Sequence, residues 1–315
     1  MKAITIEKFG GSEVLKMSRI PTPVALDNEV RIKISFASIN PVDWKIRKGY
    51  LAEMFPHKFP LIPGWDLAGI IDSIGKNVKS FKTGDKVYAY ARKPEVQWGT
   101  YAEYITLDET MVSLIPKSLT EEQSATIPLV GLTAWQALYD FAQIKEGLNV
   151  LVLGGSGGVG SFAIQFAKAA GAMVLTTTSQ KNKVYTSKLG TDLVLDYEKD
   201  NMDEIIKDRF PEGLDIVFDT VGGESLNASY QWVKKGGTLV SIVDSPDKLR
   251  STSLGIKSGF VFVSPSADQL QKIATLVDQK KVVIPEYQVF PLAEVVKAHD
   301  LSESRRVRGK ILLKI

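Results

Sequence analysis

Gly155, Gly157 and Gly160 stand at G-x-G-x-x-G spacing within VLVLGGSGGVGSFAIQFAKAAG, a stretch that begins at Val150. Four apolar residues precede the glycines, and Val159, Phe162, Ala163, Phe166, Ala167 and Ala170 follow at helical spacing, so the stretch predicts a strand, a tight turn and a packed helix in series. Such a turn can receive a pyrophosphate. Without Cβ atoms, Gly157 and Gly158 leave backbone amide donors open at the positive end of the helix, with Ser156 beside them, while Gly160 permits close contact between helix and strand. About 20 residues beyond such glycines, NAD-binding folds place an acid that accepts from the adenosine ribose. This chain has Thr178, Ser179, Gln180, Lys181, Asn182 and Lys183 there. Hydroxyl and ammonium groups suit a 2′-phosphate, which an acid would repel, so the expected cofactor is NADPH, with Lys183 or Lys181 as its charge partner. Either lysine also reads as the solvated start of a helix. Tyr197, closing the next strand, is a candidate to lie against the adenosine ribose or its phosphate.

Composition narrows the remaining chemistry. Among 315 residues there is no cysteine, and His57 and His299 are the only histidines. Disulfides, thiolate metal sites and a cysteine nucleophile are thereby excluded, and the two isolated histidines read as solvated or packed rather than metal-ligating. No metal site is expected. Lys and Arg number 39 against 36 Asp and Glu, a net charge of +3, which gives no electrostatic footprint for nucleic acid. The start, MKAITIEKFG, alternates polar and apolar residues at once and has no leader pattern. No apolar run reaches the length of a membrane span. A cytoplasmic protein without a membrane span is expected.

The elements that must position these residues fall into two kinds. VRIKISFASI after Glu29, AGIIDSIG around Ile70, GDKVYAYA from Gly84 and GTYAEYITL from Gly99 show period-two alternation, as in an antiparallel, barrel-like domain. Thr120 reads as the N-cap of a helix running through TEEQSATIPLVGLTAWQALYDFA. From Val150 the chain alternates apolar strands with helical stretches: VLVL, AMVLTTT, DLVLDY, DIVFDT, GTLVSIV and GFVFV. That order predicts a doubly wound parallel sheet covered on both faces. Beyond it come a helix at ADQLQKIATLVDQ, a strand near Val282, a helix from about Pro291 and a last strand, GKILLKI. The expected organisation is a Rossmann-type domain, residues 123–264, inserted into a mainly antiparallel catalytic domain formed by residues 1–122 and 265–315.

ASINPVDWKIRKGY from Ala37, PGWDLAG from Pro63, GDKVYAY, GTYAEY, GLTAWQAL, GGSGGVG, VFDTVGG and RGKILLKI, in that order, resemble the medium-chain dehydrogenase/reductase superfamily, and within it the zinc-independent quinone oxidoreductase group. The resemblance covers essentially the whole chain. It implies that the antiparallel domain is GroES-like, and that the protein is a homodimer pairing sheet edges near GFVFV. Zinc-dependent members place an early cysteine, and a histidine and glutamate in the segment matching PGWDLAG; here that segment carries Trp65 and Asp66. The implied activity is zinc-independent, NADPH-dependent hydride transfer to a quinone or similar conjugated carbonyl. An alkenal, enone or enoyl-thioester reductase is the alternative, and a non-catalytic NADPH-binding protein is another. The resemblance further implies that Asn40, Asp43 and Tyr50 border the nicotinamide: Asn40 to orient, Asp43 to anchor or relay a proton, Tyr50 to donate toward developing oxygen charge. Structural roles compete, since Asn40 with Pro41 also reads as turn punctuation, Asp43 as a helix cap and Tyr50 as packing. Thr133, Val221, Ile242, Phe260, Phe262 and Lys310 occupy the later cofactor-side landmarks of the family, and Asp66 reads as structural.

Overall fold

The computed structural model describes residues 1–304 and 306–315. It divides into two compact units, one of residues 1–129, 264–278 and 286–315, the other of residues 130–263 and 279–285. The first unit thus continues past the boundary expected at 122, and a short return segment joins the second.

In the first unit, a seven-stranded sheet among the described residues is built around the long Glu29–Ile39 strand. Asp66–Ile74, Tyr104–Asp108 and Lys310–Lys314 all pair with it antiparallel. Tyr287–Pro291 runs parallel to Lys310–Lys314. Alternate residues Val30, Ile32 and Ile34 turn into a core with Leu67, Ile71, Val87, Ala89, Ile105 and Leu107, each large side chain contributing about 1.5–3 kcal/mol by leaving water. GTYAEYITL pairs as a strand only from Tyr104. Its first residues are engaged elsewhere: the N–H groups of Gly99, Thr100 and Tyr101 donate to the carbonyls of Ile62, Gly64 and Pro63.

The second unit holds a parallel sheet in the order Leu193–Asp196, Met173–Thr178, Asn149–Leu153, Leu214–Asp219, Val233–Ser241, Lys257–Phe260. The order reverses at Asn149–Leu153, the strand that feeds the glycine turn, and ligands bind outside the strand ends at such a point. Phe260 ends the edge strand and Phe262 lies beyond it.

Two expectations are corrected, one of a helix and one of a strand. Thr120 does cap a helix, its hydroxyl accepting from the Gln123 N–H at 3.2 Å. That helix stops at Ser124 and a new one begins at Pro128, because proline has no N–H to continue a ladder and disfavours helical geometry in the residue before it. The second helix, Pro128–Trp135, passes into a π-helical turn over Gln136–Phe141. The strand expected near Val282 is absent. The Gln165 side chain holds that segment instead, accepting from the Val283 N–H at 2.7 Å and donating to its carbonyl at 2.9 Å, and the strand forms later, over Tyr287–Pro291.

Candidate functional site

The glycine turn is built by two different constraints. A Cβ on Gly155 would meet Thr176 Oγ1 at 2.0 Å, and one on Gly160 would meet the Gly154 carbonyl oxygen at 2.3 Å; both positions are closed by the chain's own packing. A Cβ on Gly157 would meet nothing nearer than the Gly154 oxygen at 3.5 Å. Gly157 is the N-cap of the Gly158–Ala169 helix, so its free face lies beside the first amides of that helix, which have no intrahelical partner. Val159 lies in its first turn.

Neighbouring loops complete this region. Asn182 Nδ2 donates to Ser156 Oγ at 3.2 Å and to Ser179 Oγ at 3.3 Å, tying the glycine turn to the end of the Met173–Thr178 strand. Lys183 opens the next helix with its ammonium 3.9 Å from Asp200. Thr178 and Asp196, paired across neighbouring strand ends, are buried, and Thr178 Oγ1 and Asp196 Oδ2 have no hydrogen-bond partner. Unpaired buried polar atoms cost stability unless a ligand or water meets them. An open face at Gly157 beside the helix amides, with hydroxyls and a lysine at the ends of parallel strands, fits a dinucleotide; the unmet Asp196 oxygen is an acceptor, which suits a hydroxyl and not a phosphate. Tyr197 follows Asp196 and is exposed. Elsewhere in this unit, buried Asp219 accepts from the N–H groups of Val221 and Gly222 and from Ser241 Oγ, which fixes the turn bearing Val221. Ile242 N–H donates to the Asp219 carbonyl. Thr133 is buried in the Pro128–Trp135 helix. The rings of Phe260 and Phe262 lie 6.4 Å apart. Sequence reasoning missed Asn182, whose amide links two of the loops it did select.

In the first unit, Asn40 and Asp43 belong to a fully buried polar cluster. Asn40 caps the Pro41–Arg47 helix, and its N–H donates to Asp43 Oδ2 at 2.8 Å. Its side-chain amide is engaged at both ends: Nδ2 donates to Asp66 Oδ2 at 2.9 Å, and Oδ1 accepts from Lys310 Nζ at 2.5 Å. Lys310, expected on the cofactor side, therefore has its ammonium committed to Asn40 and to the Ile39 carbonyl at 3.2 Å, with Asp66 Oδ2 at 3.8 Å. Asp66 Oδ1 accepts from the Leu129 N–H at 2.9 Å. Asp43 Oδ2 takes a second hydrogen bond, from Tyr101 Oη at 2.8 Å. Asp43 Oδ1 is buried without a partner.

Burial raises both carboxyls. Desolvation pushes Asp43 up to about 7, against the hydrogen bonds from Asn40 and Tyr101 and the charge of Lys310, with the Asp66 charge adding to the rise. Asp66 is pushed up to about 6 by burial, opposed by Lys310, Asn40 and the Leu129 N–H. Burial lowers the Lys310 ammonium, against the pull of Asp66 and Asp43. Both polar atoms of the Asn40 amide are thus engaged, whereas one carboxylate oxygen of Asp43 is left unpaired. Tyr50 is not joined to this cluster; its ring is exposed and stands edge-on to Trp44 at 6.3 Å. Sequence reasoning took Asp66 as structural and passed over Tyr101 and Lys310's link to Asn40. The one signal for Tyr101 was the glycine before it in space: a Cβ on Gly64 of PGWDLAG would strike the Tyr101 ring at 2.3 Å.

Among the described residues no group of three or more His, Cys, Asp or Glu side chains is placed to hold a metal ion, and no helix is long and apolar enough to cross a membrane. Residues 26–117 match the family model of the alcohol dehydrogenase GroES-like domain, and residues 189–313 that of a zinc-binding dehydrogenase. The chain is 34% identical to human NAD(P)H oxidoreductase RTN4IP1, mitochondrial, over 100% of its own length and 89% of that protein. It is 36% identical to 2-methylene-furan-3-one reductase of Solanum lycopersicum, over 99% of its length and 79% of the relative. The solved quinone oxidoreductase of Coxiella burnetii superposes with a TM-score of 0.89 at 32% identity, covering 100% of this chain and 99% of that one. The PGWDLAG segment carries Trp65 and Asp66, and the chain has no cysteine. The chain therefore belongs to the zinc-independent quinone oxidoreductase group of the medium-chain dehydrogenase/reductase superfamily, whose members are nicotinamide-dependent oxidoreductases.

Proposed function

We propose that this enzyme is an NADPH-dependent reductase of conjugated carbonyl acceptors, with quinones as the first class and enones as the second. The nicotinamide, when bound, supplies the hydride. Gly157 and Gly158 would admit the pyrophosphate to the helix amides, and Ser179, Lys183 and Tyr197 would hold the adenosine ribose and its 2′-phosphate. The observation that carries the reading is Asp43, a buried carboxyl with Oδ1 unpaired and an affinity for protons raised by burial to about 7. A reductase without a Lewis acid needs a proton for the acceptor as hydride arrives, and an acid poised near neutrality gives it most efficiently. Asn40 and Lys310 hold the helix start that carries this carboxyl.

The enone reading has its own support, since the relative from Solanum lycopersicum is named for reducing a methylene-furanone. Both reactions need one hydride and one proton, so acceptor shape separates them. Steady-state NADPH oxidation with a panel of quinones, enones and alkenals should show turnover with at least one class, falling as pH rises through about 7, the value set by Asp43. Binding of NADPH with no acceleration by any conjugated acceptor would leave a cofactor-binding protein in place of an enzyme.

A further inference from the structure

The first unit contains a second set of buried polar side chains behind Asp43 that the reaction as proposed does not use. Arg47, His299 and Tyr101 are each fully buried. Arg47 Nη1 lies 3.0 Å from His299 Nδ1, His299 Nε2 lies 3.3 Å from Tyr101 Oη, and Tyr101 Oη lies 2.8 Å from Asp43 Oδ2. A guanidinium only donates, so Nδ1 must accept and the imidazole proton must sit on Nε2. That proton points to the tyrosine oxygen, which leaves the phenolic proton for Asp43. The donors run one way, from Arg47 to Asp43, and the far end is anchored where Arg47 Nη2 pairs with Glu303.

We infer that Arg47, His299 and Tyr101 are positioning residues for the reductive step, forming a directed hydrogen-bond chain that fills Asp43 Oδ2 and so reserves Oδ1 as the atom that carries the proton. With Oδ2 already accepting from the Asn40 N–H and Tyr101 Oη, both of its in-plane lone pairs are taken, and a proton added to Asp43 goes to Oδ1. This rests on the proposed reductase reading for its use: the acceptor gains a hydride from the reduced nicotinamide and a proton from Asp43 Oδ1, the O–H bond breaks, and the carboxylate is reprotonated from water. The chain itself stays in one protonation state. Burial, with the Arg47 charge, lowers His299 to about 3 and keeps the ring neutral, while Glu303 opposes. Burial and the charge of Asp43 raise the Tyr101 phenol. The other charged groups facing Asp43 are Asp66 and Lys310, from two different strands, and neither belongs to the chain.

The full-length protein, without cofactor or acceptor, gives the first test. The protonated carboxyl band that disappears in Asp43→Asn is followed by infrared spectroscopy against pH. Tyr101→Phe removes a donor that favours the carboxylate, so the midpoint should rise by about one pH unit, a tenfold gain in proton affinity. His299→Leu should raise it less, because the tyrosine hydroxyl stays but is free to turn. An unmoved midpoint in both variants overturns the inference. Nitrogen NMR of His299 in the unaltered protein needs no variant to fold: Nε2 protonated and Nδ1 bare at neutral pH supports the chain, and the opposite tautomer overturns it. The pH profile of kcat then tests the reading beneath. Its falling limb should move with the infrared midpoint, and a limb that stays while the midpoint moves removes Asp43 as donor yet leaves the chain's direction standing.

Discussion

Lys183 opens its helix with about one third of its side chain exposed and Asp200 3.9 Å away. At that distance and exposure the pair contributes little to stability, so the ammonium can turn to a 2′-phosphate at small cost. A charge-assisted hydrogen bond to phosphate is worth about 1.5–3 kcal/mol. Lys183→Ala should therefore weaken NADPH by roughly tenfold to a hundredfold and leave NADH nearly unchanged, as read by fluorescence titration of each. Equal loss for both would move the 2′-phosphate partner elsewhere, with Lys181 next in line. At this scale the sequence shows chemistry by residue type, which is what makes Lys183 and Ser179 candidates. It could not show that Lys310, placed by resemblance on the cofactor side, has its ammonium bound to Asn40, since that pairing joins positions far apart in the chain.

The glycine turn behaves as an element, and its glycines should separate by experiment. Gly160→Ala sets a Cβ 2.3 Å from a backbone oxygen, so strand and helix must part, at a cost of about 1–3 kcal/mol visible as a lower thermal midpoint. Gly157→Ala meets no such obstacle, and as an N-cap change it should cost within about 1 kcal/mol. Its effect should fall on NADPH affinity, because the added methyl occupies the face beside the helix amides. A Gly157→Ala protein that binds NADPH normally would mean that the pyrophosphate lies elsewhere. The turn, its strand and its helix were legible because apolar runs and glycines are local signals. The break at Pro128 was legible in principle from the proline. The missing strand near Val282 was not, because the Gln165 side chain that replaces its ladder comes from a distant helix. Likewise the loop before Tyr104 reads as strand by alternation, and only its hydrogen bonds to Ile62, Pro63 and Gly64 divert it.

For the molecule as a whole, the buried groups of the first unit set opposing dependences of stability on pH. Asp43 and Asp66 are held at about 7 and about 6 in the folded chain, against about 4 for an unfolded aspartate. Between these limits the native state binds more protons than the unfolded one, so their contribution declines as pH rises from about 4 to about 7 and is level above. His299 is displaced the other way, to about 3 from about 6.5 unfolded. There the unfolded state binds more protons, and its contribution increases from about pH 3 to about 6.5. Two falling arms overlap one rising arm, which offsets part of the fall and should leave a net decline in the unaltered protein between about pH 4 and about pH 7. Asp43→Asn presents the same acceptor oxygen to Asn40 and Tyr101 and removes one falling arm. Its thermal midpoint should therefore gain on that of the unaltered protein as pH rises from 4 to 7, and the difference should stop growing above. A difference that is constant from pH 4 to 8 would mean that Asp43 titrates as an ordinary carboxyl, and the proton assigned to Oδ1 would then be absent at neutral pH.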